Sequence, residues 1–121
     1  MSALAVAAAI VTGGIASVVR YLVTLAFAQR RGLPWAVLVV NVVGSGIGGA
    51  VLGLSASGAI GTDTRLIILG GLAGGLTTFS TFSTETMQLA RAGHVLAAVL
   101  NVIANLLFGI LAATGGYLLT A

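Results

Sequence analysis

Apolar residues dominate four long stretches of the chain, and short polar or glycine-containing segments separate them. A bilayer core requires about 20 apolar residues per helix, so each stretch is long enough to cross a membrane. The pattern therefore predicts an all-α membrane protein with four transmembrane helices, forming a single four-helix transmembrane domain over residues 1–121. The predicted helices run roughly from Ala3 to Phe27, Trp35 to Leu54, Arg65 to Arg91 and Val95 to Leu119.

The third apolar stretch contains a break in its pattern. Four glycines, at 70, 71, 74 and 75, precede seven hydroxyl residues between positions 77 and 86. Phe79 and Phe82 are the only large apolar side chains among those hydroxyls. Lipid does not tolerate unpaired backbone groups, so an interrupted helix must face protein or a water-filled path. We expect the third helix to be interrupted near Gly74 to Thr78, beside an ion path.

Asparagines in the second and fourth helices are polar groups that need partners inside a membrane. Asn41 shares one face with Gly44, Ser45 and Gly48, and the glycines favour close helix packing. On the fourth helix, Asn101 and Asn105 share a face with Phe108 and Ala112. Each asparagine is either an interhelical hydrogen-bonding group or part of a polar path.

Arg20 is the only charged residue within the first helix. Gly13 and Ser17 of the same helix are one turn apart, and their small side chains let a neighbouring helix approach closely. A charge at the depth of Arg20 is costly in hydrocarbon. The side chain therefore either extends to the membrane surface or attracts anions at the mouth of a pore.

Composition excludes several classes of function. Only 6% of residues are charged, against about 25% in soluble proteins, so the chain is not a soluble domain. Its five arginines form no basic patch that would bind nucleic acid. The sequence contains no cysteine, no recognisable nucleophile–base pair and no phosphate-binding lysine motif, so we do not expect an enzyme. The first stretch lacks a basic leader, which favours a membrane span over a cleaved signal.

Charges in the loops give a weak indication of orientation. Arg30, Arg31 and Arg91 flank one side of the predicted bundle, and Arg65 flanks the other. The positive-inside rule favours cytoplasmic first and third loops, although such a slight excess is compatible with insertion in both orientations. One copy is too short to seal a pore from lipid, so we expect a homo-oligomer, most simply a dimer.

The residues around the break suit an anion. Phenyl rings have positively charged edges, so Phe79 and Phe82 can help to replace water around a small anion. The alternative is that both rings simply fill a core. Freed backbone carbonyls at the break can also hold a cation, although the pattern alone does not distinguish this from a kink. The candidate hydrogen-bond donors to the anion are Asn41, Ser80, Thr81, Ser83 and Asn105.

The run from Gly74 to Ser83, Gly-Gly-Leu-Thr-Thr-Phe-Ser-Thr-Phe-Ser, resembles the signature of the Fluc fluoride channels, also called the CrcB family. The resemblance extends over essentially the whole chain. It includes Gly13-Gly14 with Arg20-Tyr21, Pro34 followed by Asn41 and Gly44-Ser45, and Glu85.

The resemblance implies a fluoride-selective channel in the cell inner (plasma) membrane that exports cytoplasmic fluoride by passive flow. It implies an inverted, dual-topology dimer with two pores, in which Phe79 and Phe82 form an aromatic box and Asn41 lies on the pore. Arg20 would lie in the vestibule. Carbonyls of Gly74 and Thr77 would hold a structural sodium ion, and the polar track would comprise Ser80, Thr81 and Ser83.

The chain also departs from the family pattern. Asn101 and Asn105 stand where a tyrosine and a serine are expected, and Ala16, Ala36-Val37 and Gly46 are further departures. These differences leave open a non-conducting subunit or one half of a heterodimeric fluoride channel. A small proton-coupled multidrug exporter is a third alternative. That chemistry needs a membrane-embedded carboxylate, and no acid precedes Asp63.

Overall fold

The structure, a computed structural model, describes residues 2–27 and 33–121. Within those residues, four helical stretches are long and apolar enough to cross a membrane. They confirm the predicted all-α architecture with four spans, at Ala3–Ala26, Trp35–Ala56, Thr62–Arg91 and Val95–Thr120. Arg30 and Arg31 of the predicted first loop lie outside the described residues.

The third span consists of two helices joined by an extended link. We label the helices α1 (Ala3–Ala26), α2 (Trp35–Ala56), α3 (62–76), α4 (Phe79–Arg91) and α5 (Val95–Thr120). Within α3, Leu66–Ala73 is a π-helix flanked by the short α-helical turns Thr62–Arg65 and Gly74–Leu76. Thr77 and Thr78, between α3 and α4, have extended backbone conformations. The interruption therefore lies at the end of the predicted segment.

The helix ends follow local capping chemistry. The Ser2 side chain accepts a hydrogen bond from the Ala5 amide at 3.0 Å and so caps α1. The third span begins after Gly61, which has no side chain to cap it. Asp63 lies in the first turn, where a negative charge suits the helix dipole, and accepts a hydrogen bond from Ser2 Oγ at 3.3 Å.

The helices pack in two main pairs, α2 with α5 and α1 with α3. Glycine allows both close approaches. A Cβ atom at Gly49 of α2 would collide with the backbone of Ala113 in α5, and one at Gly75 would collide with the backbone of Gly13 in α1. Gly13, which we expected to let a neighbouring helix approach closely, lies at the second of these contacts.

Large apolar side chains lie mainly outside this small-residue core. Ala16, Val40 and Leu76 form the buried cluster, and Ala16 is completely buried. Many large apolar side chains on α1 and α5 are exposed, among them Leu4, Leu96 and Leu118. Such a distribution suits a bundle surrounded by lipid, where apolar surface needs no cover by protein.

Candidate ion pathway

The break is built from two threonines with different tasks. Thr77 ends α3, where its amide and its hydroxyl donate to the Ala73 carbonyl at 3.1 and 3.0 Å. Thr78 begins α4 as its N-cap residue, with its hydroxyl accepting from the Thr81 amide at 3.1 Å. Both helix ends therefore satisfy backbone groups locally, and the chain is free to change direction between them.

Asn41 of α2 pairs with the exposed backbone of the break. Its Oδ1 accepts from the Thr78 amide at 2.8 Å, and its Nδ2 donates to the Thr78 carbonyl at 3.2 Å. Thr78 is buried, so water is a poor substitute for these bonds. The packing interpretation of Asn41 is thus confirmed. Asn41 also lines a cavity, so a role in the path remains a prediction.

A cavity of about 290 Å³ lies beside the break. The Phe79 and Phe82 ring centroids are 5.8 Å apart, with the ring planes inclined at 49°. Phe79 is 78% exposed, so it does not fill the core of this single chain. The structure brings four predicted site residues together at this cavity, Asn41, Phe79, Phe82 and Asn105.

The predicted hydroxyl track is on another surface of α4. Ser80 and Thr81 line a separate cavity of about 300 Å³ together with Thr84, Glu85 and Gln88. Glu85 Oε2 is buried and has no hydrogen-bond partner among the described residues. Ser83, half-buried, lies on neither of these two cavities. A single chain therefore does not unite the hydroxyls with the phenyl rings.

Arg20 reaches the break from α1. Its half-buried side chain donates from Nη1 to the Thr77 carbonyl at 3.2 Å. A cationic donor strengthens such a bond and supplies a partner for a carbonyl that the ended helix leaves free. In the described part of the chain, Arg20 is thus directed towards the interrupted span.

The two carbonyls proposed for sodium differ in their surroundings. In a continuous helix the Thr78 amide would pair with the Gly74 carbonyl, but here it donates to Asn41. No other described residue forms a hydrogen bond to the Gly74 carbonyl across the break. The Thr77 carbonyl accepts from Arg20 and keeps a second lone pair. Among the described residues, no group of three or more His, Cys, Asp or Glu side chains offers an alternative metal site.

Asn101 and Thr86 extend the polar contacts beyond the predicted site. Asn105 Nδ2 donates to the Asn101 carbonyl at 2.9 Å and to Asn101 Oδ1 at 3.0 Å. Asn101 Nδ2 in turn donates to Thr86 Oγ1 at 2.9 Å. The sequence indicates that the two asparagines of α5 need partners. Nothing in the spacing identifies Thr86, since several hydroxyls of α4 are equally eligible.

Comparison with known proteins identifies relatives over most of the chain. The chain is 44% identical over 96 residues to the fluoride-specific ion channel FluC of Shewanella sp. (strain W3-18-1), covering 78% of this chain and 77% of the relative. It is 35% identical over 113 residues to the protein of the same name from Methylobacterium radiotolerans, covering 90% and 79%. These relatives are named as ion channels and not as enzymes.

A family model described as CrcB-like protein, Camphor Resistance (CrcB), matches residues 7–117. That match spans all four membrane-crossing stretches, which indicates a multi-pass protein of the plasma membrane. It sets aside the multidrug-exporter alternative. By this match and by the identity of its relatives, the chain belongs to the CrcB-like family of membrane proteins.

Proposed function

We propose that this protein is a fluoride-selective channel through which cytoplasmic fluoride leaves the cell by passive flow. The observation that carries the proposal is the convergence of Asn41, Phe79 and Phe82 on one cavity at an interrupted membrane span. The names of the relatives, fluoride-specific ion channels, support fluoride as the permeant ion.

The cavity offers fluoride two kinds of stabilisation. The positive edges of the two phenyl rings attract an anion, and the rings themselves hold little water that the anion would have to displace. Asn41 Nδ2 has two hydrogens, which point to the Thr78 carbonyl and to Asn105 Oδ1 at 3.1 Å. Fluoride is a hydrogen-bond acceptor, so it binds Asn41 by replacing Asn105 Oδ1 in the second of these bonds. Selectivity against chloride then follows from the narrowness of the site and the number of its donors.

The working unit is a dimer of inverted subunits. A single chain leaves Phe79 exposed, and the cavity beside the rings is not lined by Ser80, Thr81 or Ser83. A second copy packed against α4 would cover Phe79 and provide each pore with hydroxyls from one subunit and rings from the other. Two symmetric copies give two pores, with Arg20 contributing positive charge near the mouth.

A structural sodium ion at the centre of the dimer fits the carbonyls of Gly74 and Thr77. Hard cations prefer oxygen ligands, and the Gly74 carbonyl lacks its helical partner because Asn41 takes the Thr78 amide. One copy provides two such carbonyls, so a second copy is needed to complete the coordination. The ion would neutralise carbonyl dipoles crowded at the axis, and it does not travel with fluoride.

The alternative of a heterodimer or a non-conducting subunit is favoured by one feature. The amide hydrogens of Asn105 are both donated to Asn101, so this residue offers fluoride no free donor. A complementary subunit with other residues at these positions would then supply the conducting pore.

Ion efflux from liposomes containing this chain alone tests the proposal. We expect rapid fluoride efflux and no comparable chloride efflux. Absence of fluoride efflux, with efflux appearing when a second CrcB-like subunit is added, would favour the heterodimer. Chloride efflux at a similar rate would contradict fluoride selectivity.

The sodium proposal has its own test in detergent solution. We expect dimerisation to strengthen with sodium and to be weaker when choline replaces it at equal ionic strength. Equal dimerisation in both salts would contradict a structural sodium ion.

A further inference from the structure

A directed chain of hydrogen bonds connects three helices around the break. The Thr78 amide can only donate, so it fixes Asn41 Oδ1 as its acceptor and turns Asn41 Nδ2 towards Asn105 Oδ1. This in turn directs Asn105 Nδ2 to Asn101 Oδ1 and leaves Asn101 Nδ2 to donate to Thr86. Each amide orientation therefore depends on its neighbour, and none can flip alone without placing like groups together.

The chain of bonds ends on the helix where it began. Thr86 Oγ1 accepts from Asn101 and donates to the Phe82 carbonyl at 2.7 Å. Asn41 holds the start of α4 at Thr78, and Asn101 holds it again two turns later at Thr86. Phe79 and Phe82 lie between these two points. The first two turns of α4 are thus fixed against α2 at one end and against α5 at the other.

Asn101 is fully buried, so its hydrogen bond to Thr86 cannot be replaced by a bond to water. Its side chain and backbone are 0% exposed, so water cannot replace a lost partner. Thr86 is the partner of Asn101 Nδ2 on α4, so loss of the Thr86 hydroxyl removes this bond between α5 and α4. An interhelical bond of this kind selects one rotation of α4 and so one direction for the two phenyl rings.

We propose that Asn101 and Thr86 are positioning residues for the ion pathway. They act through the Thr86 contact on α4 and through Asn105 on Asn41, and together they set where Phe79 and Phe82 face the cavity. Neither touches the permeating ion. The effect on conduction rests on the proposed function, whereas the coupling between Asn101, Thr86 and the break does not.

Two single substitutions and two comparisons test the proposal. Thr86→Val and Asn101→Leu keep approximate size and remove the hydrogen bond. Thr86→Ser keeps the hydroxyl. Thr120→Val is the matched control, because Thr120 Oγ1 also bonds across from α5 to α2, at the Ala50 carbonyl, 2.8 Å away, outside the break.

The first measurement is fluoride efflux per assembled channel after reconstitution. We expect Thr86→Val and Asn101→Leu to lower it about three- to twenty-fold, the range that corresponds to one interhelical hydrogen bond in a membrane protein. The double variant should be no slower than the slower single variant, because both remove the same contact. Thr86→Ser should stay within about twofold of the unsubstituted chain, as should Thr120→Val.

The second measurement does not depend on conduction. Backbone amide hydrogen exchange of a peptide covering residues 77–84 should accelerate in Thr86→Val and Asn101→Leu, and not in Thr120→Val. Unchanged exchange in both variants would overturn the coupling. Accelerated exchange with unchanged efflux would overturn the positioning role. If the unsubstituted chain fails to conduct, the proposed function fails, and the exchange comparison still decides the coupling.

Discussion

Replacing Asn41 by leucine removes three hydrogen bonds with little change in side-chain volume. The bonds join Asn41 to the Thr78 amide at 2.8 Å, the Thr78 carbonyl at 3.2 Å and Asn105 Oδ1 at 3.1 Å. The partners stay behind in a region where Thr78 is 8% exposed. We therefore expect Asn41→Leu to weaken the link between α2 and the break.

The size of the effect follows from the number of bonds. Interhelical hydrogen bonds in membrane proteins contribute on average about 0.6 kcal/mol each and at most about 1.7 kcal/mol. Three bonds then correspond to a loss of about 2 to 5 kcal/mol in the free energy of unfolding. Values near the upper end are expected if water cannot reach the abandoned Thr78 groups, since buried unpaired groups carry the full desolvation penalty.

Reversible unfolding in mixed micelles, followed by circular dichroism, measures this difference. Ser45→Ala is the matched control. Ser45 lies one turn along the same helix and lines the same cavity, and its substitution should change the unfolding free energy by less than about 0.5 kcal/mol. If Asn41→Leu is no more destabilising than Ser45→Ala, the Thr78 backbone has other partners and the reasoning is refuted.

Three further predictions concern packing, the phenyl rings and charge. Gly49→Ala should lower the free energy of unfolding by about 1–3 kcal/mol, because the added methyl group meets the α5 backbone. Gly115→Ala is the control, since a methyl group there meets no other atom, and equal unfolding curves for the two variants would contradict this prediction. Phe79→Ile and Phe82→Ile should each lower the free energy of unfolding by less than about 1.5 kcal/mol, yet each should lose most fluoride efflux. Normal efflux in both variants would exclude a role for the rings in conduction. Arg20→Gln keeps a donor for the break but loses the charge, so efflux should fall most at low salt, and a deficit independent of salt would point to a structural role.

Much of the architecture was predictable because a membrane imposes few choices. Span length follows from bilayer thickness, and the glycine and hydroxyl residues of the third span mark the place where a regular helix ends. Gly13 and Ser17 lie where α3 approaches α1, as their spacing predicts, and Ser17 Oγ is 3.4 Å from the Gly75 carbonyl. Polar groups in lipid must find partners, so Asn41 and Asn105 could be identified as important without knowing those partners.

Rotation of one helix against another was not predictable. Spacing within α4 already turns Ser80 and Thr81 away from Phe79, because residues one or two positions apart in a helix do not share a face. Which cavity each face lines depends on how Thr77 and Thr78 turn at the start of α4, and the spacing carries no information about that turn. The pairing of Asn101 with Thr86 depends on the same rotation. The residue pattern also gives no indication of the π-helix at Leu66–Ala73, in which hydrogen bonds run to the carbonyl five residues back.

The pairing of α2 with α5 has a consequence for biogenesis. Asn41 and Asn105 are 64 residues apart, so during translation Asn41 enters the membrane long before Asn105 exists. At about 5–20 residues per second, the ribosome needs roughly 3 to 13 s to synthesise the intervening chain. Throughout that interval α2 lacks the helix it packs against most extensively, and its small-residue face is open to other nascent helices or to a chaperone. Synthesis of α5 therefore completes the packing of α2, and a ribosome that stalls before Val95 leaves α2 without that partner.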